Sequence, residues 1–318
     1  MVKTLLKYQH DPLLIADKGT VVGMGFDEEK KKEFIILDST IFHPQGGGQP
    51  SDEGYICNGS KRFRIEQCSL NGDSVYHYGD FGGLKINDLV ELSVDEERRR
   101  LLMRWHSAGH LINHAVGNLQ IPPTTTGSCH FPGESSVSFA TSPEFDSSPA
   151  ALKQLSIRIE AEVKRLIGLN LESKIHFVDV DSLDPKLYSR YEGREKIIRM
   201  VEFIGVEPYR ACGGTHVKST GDIGAFSVKR ITCKAGAIRI SYNVENKWFG
   251  YNLDQRVWYV RSMNKPGCLL RLTSIQFKCL VPLSDFQVLY KQFDCLSALL
   301  IPVKTISICL PCAWIGSG

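Results

Sequence analysis

The stretch SVDEERRRLLMRWHSAGHLINHAVGNL, Ser93 to Leu119, is where the chain changes character. Ser93 or Asp95 can cap the free amides of a helix start, acids fill the first turn, and Gly117 stands near the end. Leu102, Trp105, Gly109, Ile112 and Val116 recur at helical spacing and predict one buried face. His106 and His110 stand at i and i+4, so two imidazoles share one side of the helix within reach of a single ion. The EERRR run and Arg104 read as a solvated face, with contact to nucleic-acid phosphate as the alternative. His114, one turn further, is expected to be packed or to face solvent.

Before this helix the chain is turn-dense and β-rich. Runs such as GTVVGMGF, EFIILDSTIF and DLVELSV alternate with GGGQP, CNGS, NGD and FGG. After it comes a second helix, PAALKQLSIRIEAEVKRLIGLN, opening at Pro149. Strand-like runs KIHFVDV, KIIRMVEFI, IGAFSVKR and AIRISYNV follow. Helices packed on a mostly antiparallel sheet make this an α+β fold. The expected division is a β domain over residues 1–92, an α/β two-layer domain over 93–246, and a different segment over 247–318.

Composition narrows the function classes. The 318 residues are 42% hydrophobic and 23% charged, and no apolar run reaches the length of a membrane-spanning helix. The start MVKTLLKYQHDPLL lacks the look of a signal or transit peptide, which makes the cytosol the expected compartment. Ten cysteines in that setting read as thiols and metal ligands. The net charge of +3 is too small to announce a nucleic-acid binder. Residues 251–318 hold seven Lys or Arg against three Asp, five of the cysteines and no Glu, with no sustained period. Within them CLPC, Cys309 to Cys312, has redox spacing without a βαβ setting.

A second motif completes the histidine pair. RACGGTHV, Arg210 to Val217, sets Cys212 and His216 across a turn that two glycines allow to fold tightly. His106, His110, Cys212 and His216 form a three-nitrogen, one-sulfur set, a donor class that favours zinc over magnesium or calcium. Ser107 stands where a zinc peptidase of the His-Glu-x-x-His type carries its general base, which argues against peptidase chemistry.

HSAGH and CGGTH, preceded by DSTIFHPQGGGQPSDEG, resemble the signature of the alanyl-tRNA editing family, the AlaX proteins and the editing domain of alanyl-tRNA synthetase. The resemblance covers roughly residues 1–245. The related threonyl-tRNA synthetase editing domain has a similar ligand pattern, but its cysteine motif usually lacks the Gly-Thr seen here. The resemblance implies that His106, His110, Cys212 and His216 hold one zinc ion per chain. It also implies a β-barrel-like N-terminal domain carrying the Gly46, Gly47, Gly48 and Gln49 motif. His43 stands where the family commonly has an aromatic residue. Class II synthetase motifs and an ATP site are not apparent, so the expectation is an editor that does not charge tRNA.

The implied reaction is hydrolysis of Ser-tRNA(Ala), with glycine as a second candidate, at the acceptor end of the tRNA. A pocket built for alanine scarcely rejects a smaller residue or one with an added hydroxyl, so a second site must destroy the error. Thr40 and Thr215 are the candidate partners of the serine hydroxyl. Gln45, Gly46, Gly47, Gly48 and Gln49 are candidate substrate or tRNA contacts, although glutamines in turns usually face water. The alternatives are a zinc-stabilised tRNA-binding module without turnover and an editor of another mischarged tRNA. Residues 247–318 read as a non-homologous extension.

Overall fold

The computed structural model describes residues 3–119, 124–182 and 196–245, with short strand segments beyond them. The chain divides into two compact units, Met1–Asn246 and Lys247–Gly318. The β-rich start forms β1 (Leu5–Leu6), β2 (Ala16–Asp27), β3 (Lys32–Leu37), β4 (Ser39–Thr40), β5 (Gly54–Asn58), β6 (Lys61–Ile65), β7 (Gln67–Asn71), β8 (Ser74–Gly79) and β9 (Leu89–Val94). Seven of these pair antiparallel in the order β6-β5-β9-β2-β3-β8-β7. β2 is long enough to serve two partners, giving Ala16–Thr20 to β9 and Val21–Asp27 to β3. Val21, Ile35, Leu37, Ile56, Ile65, Val90 and Leu92 line one core. Among the described residues no ladder joins β6 to β7, so the pairing does not close into a barrel.

The second half runs α1 (Glu96–Asn118), β10 (Thr125–Cys129), β11 (Ser136–Ala140), α2 (Pro149–Gly168), β12 (Ser173–Asp179), β13 (Ile197–Phe203), β14 (Val206–Ala211), β15 (Phe226–Lys234) and β16 (Ala237–Val244). Two antiparallel sheets result, β10-β11-β16-β15 and β12-β13-β14. Asp95 caps α1 by accepting from the Arg98 amide, and Ser148 caps α2 ahead of Pro149. Leu111, Ile112 and Ala115 of α1 share a core with Ile159 and Val163 of α2 and Val137, Ile238 and Ile240 of the sheet. The architecture is mixed α/β with mostly antiparallel sheets.

Several expectations need correction. α1 is buried along every residue from Leu102 to Val116 and not on one face, because the chain covers its histidine side as well. Arg99 is 1% exposed, and its guanidinium donates to both Asp52 carboxylate oxygens and to the Pro12 and Ile41 carbonyls. A buried arginine is stable there because every charge-bearing edge is paired. Asp52 in turn accepts from the His43 amide at 2.6 Å, so this pair fastens the glycine-rich loop onto α1. Arg104 is also buried, donating to the Ile223 and Glu245 carbonyls. The solvated-face reading fails for both residues, since a charge run of this length does not reveal distant acceptors.

Short strands at Phe249–Asn252, Val257–Arg261 and Leu269–Thr273 pair antiparallel in the second unit. Runs of four or five residues hold too few alternations to register as a period in the sequence. Cys309 to Cys312 lie outside the described residues.

Candidate metal centre

α1 presents His106 and His110 one turn apart, and the loop after β14 brings Cys212 and His216 to them. The four ligand atoms all lie within 4.8 Å of one another. Cys212 Sγ is 3.1 Å from His106 Nε2 and 3.4 Å from His216 Nε2. The Gly214 amide points at the same sulfur from 3.3 Å. Both glycines of CGGTH permit a tight turn, and Gly214 has a sharper reason. A Cβ there would stand 2.2 Å from His106 Cε1 and 2.5 Å from Nδ1, so the imidazole packs against bare backbone.

The donors are oriented from behind. His106 Nδ1 lies 2.7 Å from Gln49 Oε1; an amide oxygen only accepts, so Nδ1 carries the proton and Nε2 is left bare toward the sulfur. Gln49 Oε1 also accepts from the Thr215 amide, and Gln49 Nε2 donates to Thr215 Oγ1. His216 Nδ1 meets Ser107 Oγ at 3.1 Å, and the same hydroxyl accepts from the Val217 amide. Ser107, at the position that excludes the peptidase motif, is thus a brace for His216. Arg199, buried, donates to the carbonyls of Cys212 and Gly214 and fixes the loop from its other side.

Burial is the main cause that holds His106, His110 and His216 well below the ordinary imidazole pKa; neighbouring histidines and Arg199 push in the same direction. Neutral imidazoles with free lone pairs are what a cation requires. Burial also raises the Cys212 thiol, against the opposite pull of Arg199 and the Gly214 amide. A bound cation would supply the compensation that burial denies the thiolate. The donor set, its spacing and its hydrogen-bonded backing therefore fit a metal ion.

The glycine-rich loop explains itself locally. The Gly46 and Gln49 amides and carbonyls exchange hydrogen bonds around Gly47 and Gly48, whose φ angles are +56° and +76°. Two successive positive φ values make a tight hairpin turn that side chains disfavour. A Cβ on Gly48 would come within 2.6 Å of the Ser128 carbonyl oxygen, and the Gly48 carbonyl accepts from the His130 amide at 2.7 Å. The close approach of this motif is therefore to β10. Gln45 is exposed, whereas Gln49 is fully buried, against the expectation that both face water.

Thr40 stands apart from the cluster's own contacts: it is fully buried, 2.8 Å from His77 Nε2, and accepts from the Phe42 amide. His114 is buried. A cleft of about 1250 Å³ opens over the centre, lined by Gly47, His106, His110 and Cys212 together with Lys3, Lys196, Arg199, Arg210 and His130. Sequence reasoning missed His130, Tyr242, Asp52 and Arg199. No spacing rule marks them, because each takes its role from partners on other elements.

Two family models match the chain: tRNA synthetases class II (A) over residues 14–98, and the threonyl and alanyl tRNA synthetase second additional domain over residues 198–241. The first falls on the β-rich half; the second contains Cys212 and His216. The chain is 30% identical over 204 residues to an alanine–tRNA ligase of Methanoregula boonei, covering 63% of this chain and 21% of that protein. It is 31% identical over 264 residues to an alanine–tRNA ligase of Janthinobacterium sp. (strain Marseille), covering 79% of this chain and 29% of that protein. The chain thus spans less than a third of the length of these relatives. With its histidine pair, glycine-rich loop and CGGTH loop joined in one centre, the chain is a relative of the AlaX-like proteins and of the editing domain of alanyl-tRNA synthetase.

Proposed function

We propose that this protein is an aminoacyl-tRNA deacylase acting in trans, which hydrolyses the ester joining serine, and secondarily glycine, to the 3′ adenosine of tRNA(Ala) in the cytosol. The observation that carries this reading is the cluster of three buried imidazoles and one half-buried thiol, of which His106, His110 and Cys212 line a cationic cleft. The cleft of about 1250 Å³ exceeds the about 300–1,000 Å³ usual for a small ligand and has room for a terminal adenosine with its amino acid. Lys3, Lys196 and Arg210 along it suit a phosphate backbone.

Zinc suits this donor set and, when bound, supplies a fixed positive charge that polarises or orients the substrate. Gln49 keeps the His106 tautomer and ties it to Thr215. Thr215 Oγ1 accepts from Gln49, which leaves its own proton for the serine hydroxyl of a substrate. Thr40 contributes by anchoring His77 and Phe42 on the strand that leads into the glycine-rich loop. In the reaction the water oxygen bonds to the ester carbonyl carbon, the bond to O3′ breaks, and one water proton ends on O3′.

The same reading treats residues 1–92 and 93–246 as the editing unit and 247–318 as a non-homologous extension. A barrel-like first half belongs to it: β6 and β7 are pieces of one run, separated only by Glu66, that meets β5 at one end and β8 at the other. A second reading, a tRNA-binding module without turnover, is favoured by the count of four protein donors, the number that a structural zinc site would use. Purified protein assayed on Ser-tRNA(Ala), Gly-tRNA(Ala) and Ala-tRNA(Ala) separates the two. Release of serine with Ala-tRNA(Ala) spared supports the deacylase; tRNA binding with no release above a no-enzyme control supports the module.

A further inference from the structure

If four protein donors surround the metal, some other group must orient the attacking water. Tyr242 and His130 identify one. The Tyr242 hydroxyl lies 2.8 Å from the Trp105 carbonyl and 2.7 Å from His130 Nδ1. A carbonyl cannot donate, so the single hydroxyl proton goes to Trp105. Toward His130 the tyrosine oxygen can then only accept. Nδ1 of His130 therefore carries a proton and Nε2 is bare.

The ring is locked in place. It stacks on His106 with centroids 4.5 Å apart, and a Cβ on Gly109 would come within 2.3 Å of its Cε1, so it rests on bare helix backbone. Its own amide is tied to the Gly48 carbonyl. The one ring hydrogen bond of His130 is at Nδ1, so Nε2 has no protein hydrogen-bond partner among the described residues, and the residue lines the cleft. A bare acceptor thus belongs to the cleft wall beside a candidate-ligand imidazole.

We propose that His130 is a catalytic residue, its Nε2 accepting a hydrogen bond from the attacking water and aiming the water's lone pair at the ester carbonyl. The role rests on the deacylase reading above. It requires no change in the protonation of His130, only the acceptor tautomer that Tyr242 imposes. Orientation of this kind carries large rate effects because the water's freedom is removed before reaction.

The test uses the full-length, zinc-loaded protein and three variants. His130→Ala is expected to lower kcat about a hundredfold with KM within about twofold and zinc content unchanged. His130→Gln, which returns an acceptor near the Nε2 position, is expected to recover part of the loss. Tyr242→Phe frees the tautomer and is expected to cost about fivefold to tenfold in kcat. An unchanged kcat in His130→Ala, or zinc lost in proportion to activity, overturns the role. Imidazole ¹⁵N correlation spectra read the tautomer without substrate: Nδ1 protonated and Nε2 bare in wild type supports it, and the reverse overturns the role alone. A wild type that deacylates no mischarged tRNA(Ala) overturns the function itself, and this role with it.

Discussion

Gln49 and Thr215, 166 residues apart in the chain, are joined by two hydrogen bonds: Gln49 Nε2 donates to Thr215 Oγ1 at 2.9 Å and the Thr215 amide donates to Gln49 Oε1 at 3.0 Å. The same oxygen holds His106 Nδ1 at 2.7 Å. One buried amide therefore links the glycine-rich loop, the helix and the CGGTH loop.

Replacing Gln49 by Leu keeps much of the volume and leaves the His106 N–H and the Thr215 amide without acceptors. A loss of about 2–4 kcal/mol in stability is expected, together with about 10–100-fold weaker zinc binding. Urea unfolding and competition with a chromogenic chelator measure the two. Unaltered zinc affinity would show that the amide does not orient the ligand.

Cys212→Ala removes the only thiol of the set, and His106→Ala and His110→Ala each remove one imidazole. All three are expected to bring zinc from one per chain to near zero after dialysis. Elemental analysis decides; one zinc per chain in every variant would refute the assignment.

Thr215→Val deletes the hydroxyl that accepts from Gln49 and is expected to narrow the ratio of Ser-tRNA(Ala) to Ala-tRNA(Ala) hydrolysis about tenfold or more. Thr40→Val leaves His77 Nε2 and the Phe42 amide unpaired, with an expected loss of about 1–3 kcal/mol in stability. Its effect on the ratio is expected to be the smaller of the two. A larger shift in Thr40→Val would transfer the hydroxyl contact to Thr40.

His77 is held at about 4, below the ordinary 6.5, chiefly by burial. Between those values the unfolded chain binds the extra proton and the native chain does not, so stability is full above about pH 6.5 and falls as pH drops toward 4. The loss is about 1.4 kcal/mol per pH unit within that window for this one residue. Unfolding in chelator at pH 7, 6 and 5 tests it, and His77→Leu should flatten the slope.

A chain ending at Asn246 contains the four candidate ligands, the glycine-rich loop, both helices and β16. It is expected to fold, bind zinc and retain whatever deacylase activity the full chain has. Limited proteolysis of the whole protein should leave a protected fragment of about that size. Precipitation or zinc loss on truncation would mean that residues 247–318 complete the core.

Much of the centre was already legible along the chain. The i, i+4 spacing of His106 and His110, the cap at Asp95, Pro149 at the head of α2 and the alternation in AIRISYNV are short-range patterns, and helices and strands obey them within a turn or two. Cys212 and His216 stood out for the same reason. The burial of Gln49, Arg99 and Arg104 did not, because each depends on acceptors far away: Asp52 lies 47 residues from Arg99, Ile223 119 from Arg104 and Thr215 166 from Gln49. A polar side chain reads as solvent-facing until its distant partner is known, since burial without that partner is prohibitive and with it is stable. His130 marks the limit. Its neighbours in sequence say nothing of a site, and only the packing of β10 against the glycine-rich turn, with Tyr242 arriving from β16, puts its bare nitrogen at the cleft.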